Sequence, residues 1–208
     1  MQPTNRTGAF VLATCIGAFC VAMGLRAELN VWIGTGSAAA TSVLLLWRFA
    51  RPTGDLLRGG SLLGGVVLGV AVGVAMSVAT WVLYPLAIEV LPPVEVEVET
   101  LYGLLREPPG PIRAFPLLLF VVGAEELVWR GLAVDVFAPK FGPWRASVIA
   151  ALLYTLPQIA FRSPLLIVVA FLCGLVWGGL RVRTGGLTAP FVAHVVWDAL
   201  VFVVFPVA

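Results

Sequence analysis

Three features of the 208-residue chain predict an all-α, polytopic membrane bundle of about seven transmembrane helices. Apolar side chains make up 60% of it and charged ones only 12%. A soluble domain has about 25% charged residues, so this chain is built for lipid. Its mean hydropathy is +1.02, and apolar runs long enough to span a bilayer recur between short polar or glycine-rich connections. The whole chain, 1–208, reads as a single transmembrane bundle. The net charge of +2 and the lack of a basic tract with interleaved aromatics point away from nucleic acid.

The first span is Gly8 to Leu25, behind Arg6. It exceeds the 7–15-residue core of a cleaved signal peptide and has no convincing small-x-small cleavage site, so it is expected to stay as a helix. Val31 to Trp47 forms the second, followed by Arg48, Arg51 and Arg58. The third covers Leu62 to Ile88, where Gly65, Gly69, Gly73 and Ser77 recur every four residues. That stripe lets another helix approach closely.

Glu89 to Arg113 is the long polar connection. Val94-Glu95-Val96-Glu97-Val98-Glu99 alternates with period two, which suits an extended segment, and Leu101 to Arg106 suits a short interfacial helix. The segment is either a solvated acidic loop or a rim that guides substrate. The fourth helix runs from Phe115 to about Phe137 and the fifth from Ala146 to Phe161, the latter expected to kink near Leu153 to Leu156 because of Pro157. The sixth is Leu165 to Leu180, with Gly174 and Gly178 as a close-packing pair; the seventh is Leu187 to about Phe205.

Seven crossings place Arg6, Arg48, Arg51, Arg58, Lys140, Arg145, Arg181 and Arg183 on one side. Only Arg26, Arg106, Arg113 and Arg162 lie on the other. The bias predicts a cytoplasmic N-terminus in a bacterial-type inner membrane, with the acidic connection outside.

Five ionisable residues at membrane depth stand out. Glu125, Glu126 and Arg130 interrupt the fourth helix, and charges there are too costly to be incidental. In an α-helix Glu126 and Arg130 share a face as an (i, i+4) pair, while Glu125 points elsewhere. One carboxylate is thus left for structure and one for chemistry. His194 and Asp198 share a face of the seventh helix, where the carboxylate can orient the imidazole. On its own, that pair would equally suit a hydrogen bond that ties one helix to another. Cys15, Cys20 and Cys173 are scattered, unlike a zinc or disulfide framework. With one histidine in the chain, no metal and no other cofactor is expected.

These motifs resemble the CAAX protease and bacteriocin-processing family of intramembrane proteases. Glu125-Glu126-x-x-x-Arg130-Gly131 is similar to its first motif. Phe141-Gly142-Pro143-Trp144 sits at a turn such proteins often share. Gly174-Leu175, Arg183-Thr184-Gly185-Gly186-Leu187-Thr188-Ala189-Pro190 and His194-x-x-x-Asp198 are similar to its final helices. The resemblance implies a family-like catalytic core over about 115–205 and a metal-independent glutamate endopeptidase. In that scheme Glu125 activates water, Glu126 pairs with Arg130, and His194 with Asp198 steadies the oxyanion. The family's middle motif is an aromatic residue, three further residues and then a histidine, and here Tyr154-Thr155-Leu156-Pro157-Gln158 puts Gln158 in the histidine's place. Glutamine can position water but cannot titrate near neutral pH.

The leading expectation is therefore an intramembrane hydrolase acting on a peptide or protein tail in the bilayer. Nothing in the chain selects for a lipidated cysteine. The alternative is a proteolytically inactive relative, acting as a membrane scaffold or accessory subunit for a sorting or export partner. A transporter or proton path comes third, since intramembrane Glu, Arg, His and Asp also mark such routes.

Overall fold

The computed structural model describes residues 5–207, which are helical throughout their regular elements. The helices are α1 (Asn5–Gly24), α2 (Val31–Phe49), α3 (Gly54–Arg58), α4 (Leu62–Val90), α5 (Pro93–Leu105), α6 (Phe115–Glu125), α7 (Val134–Phe141), α8 (Pro143–Tyr154), α9 (Leu156–Phe161), α10 (Pro164–Thr184) and α11 (Thr188–Asp198). A wide π-turn over Glu126–Ala133 joins α6 to α7, and another over Ala199–Val204 extends α11. Arg6–Gly24, Leu62–Val90 and Pro164–Thr184 are long and apolar enough to cross a membrane, and Thr188–Val204 is a shorter apolar helix. The protein is an all-α membrane bundle.

Helix starts follow local chemistry. Asn30 accepts hydrogen bonds from the backbone N–H of Trp32 and Ile33 at 3.0 and 3.4 Å. Ser61 does the same for Gly64 at 3.1 Å. Such caps satisfy donors that a helix leaves open at its first turn. Between α7 and α8, Gly142 adopts φ 78°, a left-handed conformation that glycine reaches without steric cost, and Pro143 then starts α8. The expected kink before Pro157 is a break: α8 ends at Tyr154, and α9 begins at Leu156.

The small-residue stripe of α4 faces α11. A Cβ added at Gly73 would sit 2.7 Å from the Ala193 carbonyl oxygen and 2.7 Å from Val196 Cβ. The contact therefore needs hydrogen at that position. Trp197 Nε1 donates to Thr80 Oγ1 at 3.0 Å and fixes the register between the two helices. Gly73→Val should lower stability by about 1–3 kcal/mol, the usual cost of overpacking. Thermal unfolding of the detergent-solubilised variant measures it; an unchanged midpoint would show that α4 is not clamped to α11.

The acidic connection departs from expectation. Val94 to Glu99 is not extended but lies within α5. Val94, Val98 and Tyr102 recur at helical spacing and are buried. They pack against Tyr84, Ile88, Leu165 and Phe202. Tyr102 Oη donates to the Val201 carbonyl at 2.6 Å and accepts from Val207 N–H at 3.2 Å. Glu97 accepts from Ser163 Oγ and, at 3.0 Å, from the Leu165 backbone N–H. The segment is a docked helix whose central carboxylate caps α10.

Candidate active site

Four parts of the bundle bring the expected polar residues together. The end of α6 and the π-turn carry Glu125, Glu126 and Arg130. Tyr154 ends α8 and Gln158 lies on α9. Trp177 comes from α10, and His194 and Asp198 from α11. Both charged helices widen into π-turns at this level, a device often found at functional sites.

His194 is the hub. Its Nδ1 lies 2.8 Å from Glu126 Oε1. An ionised carboxylate only accepts, so Nδ1 carries the proton in this bond. The other ring nitrogen, Nε2, lies 3.8 Å from Glu125 Oε2 and 3.6 Å from Asp198 Oδ2. Both separations exceed a direct hydrogen bond. The imidazole is stacked on Trp177, with centroids 3.7 Å apart and planes inclined by 19°, so its plane is fixed as well as its edge.

Glu125 and Glu126 approach opposite edges of this one ring. Side-chain exposure separates them: Glu126 is 1% accessible and Glu125 is 12% accessible. Glu125 Oε2 accepts a hydrogen bond from Tyr154 Oη at 2.9 Å. Glu126 Oε1 also lies 3.3 Å from Arg130 NH1. That nitrogen is not aligned for a hydrogen bond, because the (i, i+4) pairing expected of an α-helix here falls within a π-turn. The Arg130 guanidinium is instead held over the rings of Tyr154 and Trp177, at 4.5 and 5.0 Å from their centroids. Such cation–π contacts strengthen when desolvated.

A cavity of about 170 Å³ opens from this cluster. Glu125, Tyr154, His194 and Asp198 cluster at its polar end and Gln158 also lines it; Glu126 and Arg130 lie behind the wall. Its apolar walls include Trp32, Leu101, Leu105, Phe161 and Phe202, so α5 contributes to the cavity. Gln158 thus shares the cavity with Glu125. Among the described residues, no group of three His, Cys, Asp or Glu side chains is disposed to hold a metal ion.

Two residues of the cluster, Tyr154 and Trp177, are not among the site residues that the sequence predicts. Tyr154 carried a signal, as the aromatic residue four positions before Gln158. Trp177 carried none beyond its place between Gly174 and Gly178. The orienting partner of His194 also differs from expectation: Glu126, at 2.8 Å, is much closer than Asp198, at 3.6 Å.

The chain is similar to known proteins over part of its length. An "Uncharacterized 24.3 kDa protein" of Escherichia coli is 29% identical over 82 residues. Those residues are 38% of this chain, and the match likewise spans 38% of that protein's length. No solved structure matches. Residues 108–200 match the family described as type II CAAX prenyl endopeptidase, Rce1-like. This stretch, a little under half of the chain, includes every residue of the cluster from Glu125 to Asp198, and over it the protein is similar to the Rce1-like, CAAX-protease family.

Proposed function

We propose that the protein is an intramembrane endopeptidase that hydrolyses a peptide or protein tail inserted into the apolar cavity. The observation that carries this reading is the facing pair at the cavity's polar end. Glu125 Oε2 and His194 Nε2 stand 3.8 Å apart, too far for a direct bond and close enough for one water to bond both.

In the proposed reaction Glu125 takes a proton from that water, and the hydroxide attacks the scissile carbonyl carbon. His194, hydrogen-bonded to Glu126 through Nδ1 and protonated at Nε2, donates first to the developing oxyanion and then its proton to the departing amine nitrogen. The proton on Glu125 then returns to Nε2, which restores both groups. Tyr154 holds the Glu125 carboxylate. Gln158 offers amide donors to the carbonyl oxygen or the water without titrating. Asp198 supports the charged imidazole. Glu126 and Arg130 form the structural pair behind the ring.

Membrane-protein C-termini compared with and without this protein, and again with Glu125→Gln, test the reading. Fragments should disappear in both the deletion and the variant. Identical C-termini in all three samples would overturn it.

Gln158 favours a second reading, a cavity kept for binding after cleavage was lost. Gln158→His separates the two. It places a titratable group in the cavity that Glu125 lines, and cleavage should rise by about 10²-fold or more if acid–base assistance is recovered. A folded, correctly localised histidine variant without cleavage, alongside an inactive wild type, would favour the scaffold.

The loop charges support a cytoplasmic N-terminus in a bacterial-type inner membrane. The exposed Glu95 on α5 is then outside. A Glu95→Cys variant should be labelled by an impermeant thiol reagent on intact cells; labelling only after permeabilisation inverts the orientation.

A further inference from the structure

A second cavity, of about 690 Å³, lies at the other ends of the same helices. It is lined by the C-terminal end of α2, by α3, by α7 and by Arg181 near the end of α10. Its lining is mixed: Leu46, Leu56, Leu127, Leu132 and Val136 form an apolar side, and two arginines, Arg51 and Arg181, stand with Asp55 and Asp135 among the polar residues. The π-turn separates the two cavities: Leu127 and Leu132 face this one, and Glu125 faces the other.

Both guanidiniums are positioned by the protein. Arg181 Nε donates to the Arg130 carbonyl at 3.2 Å, and its NH2 reaches Asp135 at only 3.4 Å. Arg51 Nε donates to the Trp47 carbonyl at 2.7 Å, with the guanidinium 4.7 Å over the Trp47 ring. A guanidinium has five N–H donors, so each retains donors beyond these contacts. Two carboxylates share the rim, Asp135 paired with Arg181 and Asp55 exposed in the first turn of α3. They equal the two arginines of the lining in number, but among the described residues no carboxylate lies within ion-pair distance of Arg51.

We infer that this cavity binds an anionic phospholipid, its phosphate on Arg51 and Arg181 and its acyl chains along the leucine wall. Basic pockets between membrane helices recognise lipid headgroups through the same chemistry. A leucine-lined side and two guanidiniums in one cavity suit an amphiphilic anion better than a free one. The site lies apart from the proposed cleavage residues, so it stands or falls independently of proteolysis.

Native mass spectrometry of the detergent-solubilised protein, with phosphatidylglycerol or phosphatidylcholine added, tests this. Wild type should retain phosphatidylglycerol in preference to phosphatidylcholine. Arg51→Gln and Arg181→Gln should each weaken retention about five-fold, and the double variant about thirty-fold. Arg183→Gln, a cation at the same end that does not line the cavity, should leave it unchanged. Arg51→Gln leaves the Arg181 contact to Arg130 intact and keeps the test valid if the other variants unfold. Equal retention of the two lipids, or undiminished retention by a folded Arg51→Gln, would overturn the proposal. Displacement of the lipid by inorganic phosphate alone would also overturn it, in favour of a soluble phosphate compound.

Discussion

Glu125→Gln is expected to remove cleavage while leaving a folded protein at normal abundance. The amide nearly matches the carboxyl in size, and its oxygen can still accept the Tyr154 hydroxyl that now bonds Oε2 at 2.9 Å. It cannot take a proton from water. Loss of a positioned acid–base group typically costs about 10²–10⁴ in rate. With no histidine at position 158 to share the task, the upper part of that range applies. Cleavage of a membrane substrate by reconstituted protein gives the rate, and circular dichroism reports the fold. A variant that keeps its rate would remove Glu125 from the role of base.

Glu126→Gln should do the opposite, harming the fold before the chemistry. One buried oxygen, Oε1, serves both Arg130 at 3.3 Å and His194 at 2.8 Å. An amide can keep its oxygen towards the imidazole, but it leaves the Arg130 guanidinium without its carboxylate. Breaking a buried pair in this way costs roughly 3–5 kcal/mol. Low abundance and early thermal unfolding are expected. Adding Arg130→Met should recover much of the loss, because a whole buried pair can often be replaced by apolar groups of similar volume. A single variant as stable as wild type would mean that the ring faces of Tyr154 and Trp177 hold Arg130 unaided.

Much of this arrangement is legible in the sequence because lipid makes charge conspicuous. Glu125, Glu126, Arg130, His194 and Asp198 stand out for their cost, and a small bundle has little choice but to gather them. The spacing of Gly65, Gly69 and Gly73 marks the α4–α11 contact for a similar reason, since small side chains there are of use only where backbones meet. Other features depend on tertiary structure. Val94, Val96 and Val98 satisfy a strand period, yet Val94, Val98 and Tyr102 also form a helical stripe. The surfaces of α4 and α10 decide between the two. Trp177 resembles any aromatic residue in an apolar helix until the fold stacks it on His194. The π-turn leaves no trace in composition, because its hydrogen-bond register answers to what packs around it. That wider turn also explains why Glu125 and Glu126, adjacent residues expected to diverge, flank one ring.

The π-turn at Glu126–Ala133 also sets what the gene can lose. A wide turn inside an α-helix is, in effect, an inserted residue accommodated without breaking the rod. Deleting one residue among Leu127, Val128 and Trp129 would let the segment close into an ordinary helix. The helix on either side would keep its phase, because the wide turn had absorbed the extra residue. Arg130 would then stand three residues after Glu126 instead of four, which shifts its guanidinium relative to Tyr154 and Trp177. Conservative exchanges of those three side chains alter packing, whereas a three-nucleotide deletion in the same codons re-spaces the ion pair behind the candidate site.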